Sequence, residues 1–186
     1  MRRIYFALLL SSLSLFSFGQ TKPTDLDKSP MDMSYFPVNY PILKMKGQGG
    51  DEPLARVIYS RPQKKNRDIF GGEVKYNEVW RLGANEATEI EFFKNAKIGT
   101  KKIAKGRYTM FCIPTEKSWS IIFNKDLNSW GSFTYKSDKD VARVDVPVLK
   151  GVENVEAFTM FFEPAKLGAS LVIEWDDAKV NVPIVF

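Results

Sequence analysis

The sequence predicts an all-β fold, an antiparallel sandwich or jelly roll, with a closed β-barrel as the competing architecture. The strand pattern predicts it, and the composition says what must hold it. From residue 54 onward, β-branched and aromatic runs recur at short spacing with turn residues between them, and almost no segment keeps a 3.6-residue period. The chain also has one Cys and no His among its 186 residues, so neither disulfides nor a zinc cluster supplements the core, and packing alone must hold the fold. Sandwich and barrel both solve the exposed-edge problem, and alternation does not separate them.

The elements follow in order. Arg2 and Arg3 precede an apolar run from Ile4 to Phe18, and Ser17 and Gly19 give small residues at cleavage spacing. Residues 1–19 therefore read as a signal peptide, too short and too broken by Ser11, Ser12 and Ser14 for a membrane span. The protein is expected to be exported, periplasmic or secreted, and soluble. With no Cys at the cleavage point, a lipid anchor is not expected. Residues 20–53 are rich in Pro, Asp, Lys and Gly and read as an extended arm. Met31, Met33, Tyr35, Phe36, Val38 and Tyr40 are too apolar for a solvated tail, which predicts packing along the domain or an added edge strand.

Residues 54–186 form the predicted single β domain. Leu54–Ser60 is a strand stopped by Arg61-Pro62, and Gly71-Gly72 closes the following loop. Tyr76–Leu82 is the helical candidate, a turn or two capped by Gly83. Thr88–Phe93 alternates Glu89 and Glu91 against Ile90 and Phe92, and Ile98–Ile103 reads as a hairpin turning at Gly99. Gly106–Pro114, Ser118–Asn124, Val141–Val148 and Val155–Glu163 continue the series. Leu171–Trp175 and Val180–Phe186 then form a C-terminal hairpin around Asp176–Lys179, for about nine strands in all.

Composition excludes several chemistries. Without His there is no Ser-His-Asp or Cys-His nucleophile and no His base. Cys112 lies in the apolar run Tyr108–Ile113 and reads as a buried, inert thiol. The formal net charge of +5 falls by two when Arg2 and Arg3 leave with the leader, and the basic run Arg61–Arg67 reads as solvated loop, so nucleic acid is not an expected partner. Asp126-Leu-Asn128-Ser-Trp130-Gly131 opens like a calcium loop but has Trp at the fifth position and Ser137 at the twelfth, so no metal is predicted. The acidic pairs Glu89/Glu91 and Asp138/Asp140 are neighbours in sequence rather than carboxylates facing across a cleft. No cofactor is predicted.

The stretch Val79-Trp-Arg-Leu-Gly-Ala-Asn-Glu-Ala-Thr88 concentrates a ring, a cation, an amide and a carboxylate around small residues. Arg81 is suited to clamp an anion and Trp80 to offer a stacking face; in a framework reading, Arg81 pairs with Glu86 or Glu89 while Asn85 closes the turn. Tyr59 and Arg61 in Tyr59-Ser-Arg-Pro62 give a second constellation, in which Arg61 and Arg81 converge on an acidic ligand. Trp119, Asn124, Lys125 and Trp130 give a third, an aromatic platform for a sugar. The candidate binding residues are thus Tyr59, Arg61, Trp80, Arg81, Asn85, Glu86 and Trp130, with no catalytic assignment.

Those stretches, with Arg67-Asp-Ile-Phe-Gly-Gly72, Gly106-Arg-Tyr-Thr109, Trp119-Ser-Ile-Ile-Phe-Asn124 and Asp140-Val-Ala-Arg-Val144, resemble the DUF2911 family of exported proteins from Bacteroidetes, from about Ser29 to Pro183. The resemblance implies export and transfers no catalytic or ligand residues. The leading functional reading is a non-catalytic binding or interaction module of the periplasm or cell envelope, whose partner is a small molecule or an envelope protein. The alternative is a His-independent hydrolase or isomerase with Glu86 as base and Arg81 as electrostatic stabiliser.

Overall fold

The two-residue alternation of side-chain direction along each strand decides the architecture. The computed structural model describes residues 25–150 and 153–186; the leader predicted over residues 1–19 lies outside them. Among the described residues the strands are β1 (Met31–Phe36), β2 (Ala55–Ser60), β3 (Glu89–Phe92), β4 (Ala96–Ile98), β5 (Lys101–Ile103), β6 (Gly106–Pro114), β7 (Ser118–Asn124), β8 (Asp140–Pro147), β9 (Val155–Ala165), β10 (Gly168–Asp176) and β11 (Ala178–Val185). They form two antiparallel sheets, in the orders β1-β2-β3-β6-β7-β8 and β5-β4-β11-β10-β9. Neither sheet closes on itself, so the barrel alternative is set aside in favour of a sandwich.

Each inner face is set by the two-residue period. Val57, Ile90, Met110, Ile121 and Ala142 from one sheet meet Phe158, Met160, Phe162, Leu171, Ile173, Val180 and Val182 from the other. Trp80, Trp119, Trp175, Phe158 and Phe70 gather in one aromatic cluster with centroid separations from 5.0 to 6.4 Å. A second, smaller cluster of Ala87, Phe111 and Ile122 lies apart from this core, with Val79, Ile113 and Tyr135 packed against it. In β6, Phe111 alternates with Met110 and Cys112 of the main core, which places this cluster on the outer face of the six-stranded sheet. Loops cover it there.

Two expectations meet corrections. No helix forms over Tyr76–Leu82. Asn77 and Leu82 take φ of 64° and 54°, outside the helical region, and the Trp80 backbone exchanges hydrogen bonds of 2.7 and 2.8 Å with Cys112 as an irregular continuation of the sheet. The α-helix among the described residues, α1 (Tyr40–Met45), falls instead within the segment 20–53 expected to be extended, where Pro41 suits the first turn. In the same segment β1 pairs antiparallel with β2, from Met31 opposite Ser60 to Phe36 opposite Ala55. Among the described residues no helix is long and apolar enough to cross a membrane.

Cys112 is fully buried on the inner face, and burial pushes its thiol well above the ordinary range. Both effects suppress the reactive thiolate. A chromogenic disulfide reagent at pH 8 is therefore expected to leave the native protein unlabelled over minutes and to modify it fully in denaturant. Rapid labelling of the folded chain would contradict this burial.

Candidate functional site

The string from Trp80 to Thr88 folds as a closed loop between two places on β6. Trp80 pairs with Cys112, the Thr88 carbonyl accepts from Met110 N–H at 2.7 Å, and the neck is closed by Thr88 N–H donating to Arg81 O at 3.1 Å. Inside it, Thr88 Oγ1 donates to Leu82 O, and Trp80 Nε1 donates to Gly83 O at 3.2 Å. Ser60 Oγ donates to Ala84 O at 2.6 Å and accepts from Ala84 N–H at 2.7 Å, binding the loop to the end of β2. The buried Leu82 at φ 54° and Asn85 at φ 57° are held in the left-handed region, which a β-carbon resists. This density of local bonds is why so unusual a string is needed here.

A second loop, between β7 and β8, presses on the first. Asn85 O accepts from Gly131 N–H and Ala87 N–H donates to Ser129 O, both at 2.9 Å, so Glu86 and Trp130 stand opposite each other in an antiparallel bridge. Ser132 Oγ donates to Val79 O at 2.8 Å. The loop's return is anchored by Tyr135 Oη on Asp140 at 2.7 Å, by Arg143 on the same carboxylate at 2.6 Å, and by Asn124 Nδ2 on Lys136 O and Asp140. Burial first, and then the Asp140 carboxylate, push the Tyr135 phenol up to about 12, so it stays a neutral donor at any physiological pH.

The predicted site residues separate into three groups. Tyr59 and Trp80 belong to the core: Tyr59 is 2% exposed against Phe158 with its hydroxyl 3.3 Å from Asp32, and Trp80 is 7% exposed with its ring among Trp119, Trp175 and Phe158. Neither offers a ring face to a ligand. Arg61 ties the sheets together, reaching Asp32 at 3.1 Å, Phe158 O at 3.2 Å and Thr159 Oγ1 at 2.9 Å. It thus has a counter-carboxylate and does not form an anion corner with Arg81. Asn85 acts through its backbone at the loop junction. Trp119 and Asn124 are buried, so they make no platform with Trp130.

Arg81, Glu86 and Trp130 are the candidates not absorbed by the fold. Arg81 joins no ion pair among the described residues; Glu89 pairs with Arg107 at 3.5 Å, and Glu86 is exposed. The Nε of Arg81 is buried without a hydrogen-bond partner, and desolvation lowers the guanidinium pKa. Trp130 is 60% exposed, and Phe133, which sequence reasoning did not single out, is 87% exposed on the same loop.

Beside the Glu86–Trp130 bridge lies a groove of about 280 Å³, lined by Met31, Ile58, Glu86, Ala87, Glu89 and Asn128. Register explains its floor: Met33 lies opposite Ile58, and Ile58 opposite Glu89, which puts β1, β2 and β3 side chains in one outer-face row. Ile58 was legible as a strand residue and Met31 as part of an arm that packs along the domain or adds an edge strand, but nothing local in the sequence places them beside residue 86. Glu89 is already engaged, accepting from Asn128 N–H at 3.0 Å, whereas Glu86 has no ion-pair partner among the described residues.

A family described as protein of unknown function (DUF2911) has a model that matches residues 44–184. No curated protein and no solved structure matches the chain.

Proposed function

The chain belongs to the DUF2911 family, and from that premise we propose that it is an exported, non-catalytic binding module of the periplasm or cell envelope whose contact surface is the groove beside Glu86 and Trp130. One observation carries this reading. The exposed carboxylate of Glu86, in no ion pair among the described residues, lines an apolar groove, and its bridge partner Trp130 carries an exposed indole next to it in the fold, on two loops that bond to each other. Such pre-organisation lowers the ordering cost of binding.

Size and charge narrow the ligand. A groove of about 280 Å³ is at the lower end for small-molecule sites, so it suits a fragment-sized molecule or one protruding side chain of a protein partner better than a large cofactor. Apolar Met31, Ile58 and Ala87 below a carboxylate rim favour an apolar body with a cationic end. Catalysis by Glu86 with Arg81 requires the two to converge, and no hydrogen bond or ion pair brings them together.

The test is a thermal-shift and calorimetric screen of alkylamines and cationic peptides against the mature protein and three variants. Glu86→Ala and Trp130→Ala remove exposed groups and are expected to change stability by no more than about 0.5 kcal/mol while weakening the best ligand at least about tenfold. Arg81→Met is expected to be neutral or slightly stabilising, since it removes a desolvated guanidinium with an unmet donor. If Glu86→Ala or Trp130→Ala binds every hit as the wild type does, the groove is not the site.

A further inference from the structure

The segment from Phe93 to Pro114 carries six cations, Lys94, Lys97, Lys101, Lys102, Lys105 and Arg107, and no Asp or Glu. Glu89 answers Arg107, but the five lysines are exposed and join no ion pair among the described residues. The β4–β5 hairpin concentrates them. Its register sets Lys97 directly opposite Lys102, with Ala96 opposite Ile103 and Ile98 opposite Lys101. Like charges directly opposite on a two-stranded ladder are destabilising. Lysines on the edge strand β5 guard against edge-to-edge pairing, but that role does not need a cation at Lys97, on the inner strand of the hairpin.

At the foot of this hairpin a cleft of about 560 Å³ is lined by Ala96, Ile103, Ala104, Val185 and Phe186, with Lys97 and Lys102 also on its wall. Apart from the Asn95 amide the remaining wall side chains are apolar, and the two lysines are the charged side chains on them. We propose that this cleft binds a single-chain anionic amphiphile, with its alkyl chain along Ala104, Val185 and Phe186 and its phosphate, sulfate or carboxylate head between Lys97 and Lys102. An anion there converts the repulsion across the ladder into two charge-assisted contacts. The tail removes apolar wall from water. This site is independent of the Glu86–Trp130 groove, which favours the opposite charge.

Isothermal titration with monomeric dodecyl phosphate, below its micelle concentration, tests it against three comparisons: inorganic phosphate, a dodecyl amphiphile with an uncharged sugar head, and vesicles containing phosphatidylglycerol. The expected result is saturable one-to-one binding that weakens with salt, with inorganic phosphate and the uncharged amphiphile each at least about tenfold weaker. The double variant Lys97→Gln/Lys102→Gln, at exposed positions, is expected to lose about tenfold or more. Ala104→Trp, which fills the cleft from an exposed position, is expected to do the same while its circular dichroism and melting match the wild type. Equal binding of the uncharged amphiphile, equal binding of inorganic phosphate, or an unaffected lysine double variant would each overturn the proposal. So would vesicle binding that Ala104→Trp leaves intact in the absence of one-to-one binding, because it would show a charged surface without a tail site.

Discussion

Trp80→Ala is expected to lower the melting temperature by roughly 10 °C, the largest loss of any single truncation in the central motif. The indole is 7% exposed, stacked on Trp175 at 6.0 Å and 19°, and set edge-on to Phe158 at 5.3 Å and Trp119 at 5.8 Å. Removing a buried Trp leaves a large cavity and typically costs about 3–5 kcal/mol. It also strips Gly83 O of its Nε1 donor at 3.2 Å, leaving a buried carbonyl unmet. Trp80→Phe keeps most of the ring area but loses the donor, and is expected to fall by about a third as much. Urea and thermal melts of the three proteins measure this directly. A Trp80→Ala protein that melts within a degree or two of the wild type would mean that the ring is not part of the core.

The same residue shows what sequence reading reaches and where it stops. The inner faces were legible because burial in a strand follows a period of two: Ile90 with Phe92, and Phe158 with Met160 and Phe162, are buried as their alternation predicts. The C-terminal hairpin was legible too, since Asp176-Asp177 separates two β-branched runs, and Trp175 pairs with Ala178 across it. Tyr76–Leu82 was misread because its backbone partners, Cys112 and Pro114, lie some thirty residues away, and their hydrogen bonds override local propensity.

The candidate site divides on the same line. Trp80 and Trp130 are the same residue type in comparably polar surroundings, yet one fills the sandwich and the other stands on a loop at 60% exposure. No local signal distinguishes them. The specificity of the Trp80–Thr88 string was visible, but its cause was not: Ser60, Ser129 and Gly131, all remote in sequence, supply the partners that fix the loop's shape. Glu86 was found because it is the acid in that string. Met31 and Ile58, which floor the groove, depend on strand order and could not be placed beforehand.

Gly83→Ala provides the sharpest test that this loop is a scaffold for the groove. Gly83 has φ +141°, a conformation an L side chain rarely adopts, and a β-carbon there would lie 2.7 Å from Ser60 Oγ and 3.1 Å from Ser60 O. Backbone strain of this kind costs of order 1–3 kcal/mol. The displaced hydroxyl is the one that both donates to and accepts from Ala84, so a further 1–3 kcal/mol, roughly, is lost if those groups are left unmet. The expected result is a destabilisation of about 3–4 kcal/mol, against about 2 kcal/mol for Ser60→Ala alone. The double variant should cost less than the sum, since the clash and the lost bonds share one hydroxyl. Because Ala87 N–H bonds Ser129 O and Gly131 N–H bonds Asn85 O, loosening the loop at Gly83 should also free its far end. Amide exchange at Ala87 and Gly131 is then expected to accelerate more in Gly83→Ala than exchange in the β10–β11 ladder. Uniform acceleration across the fold would show that the loop only adds to global stability. Unchanged exchange with an unchanged melt would remove both the strain and the coupling of Gly83 to the Glu86–Trp130 contact.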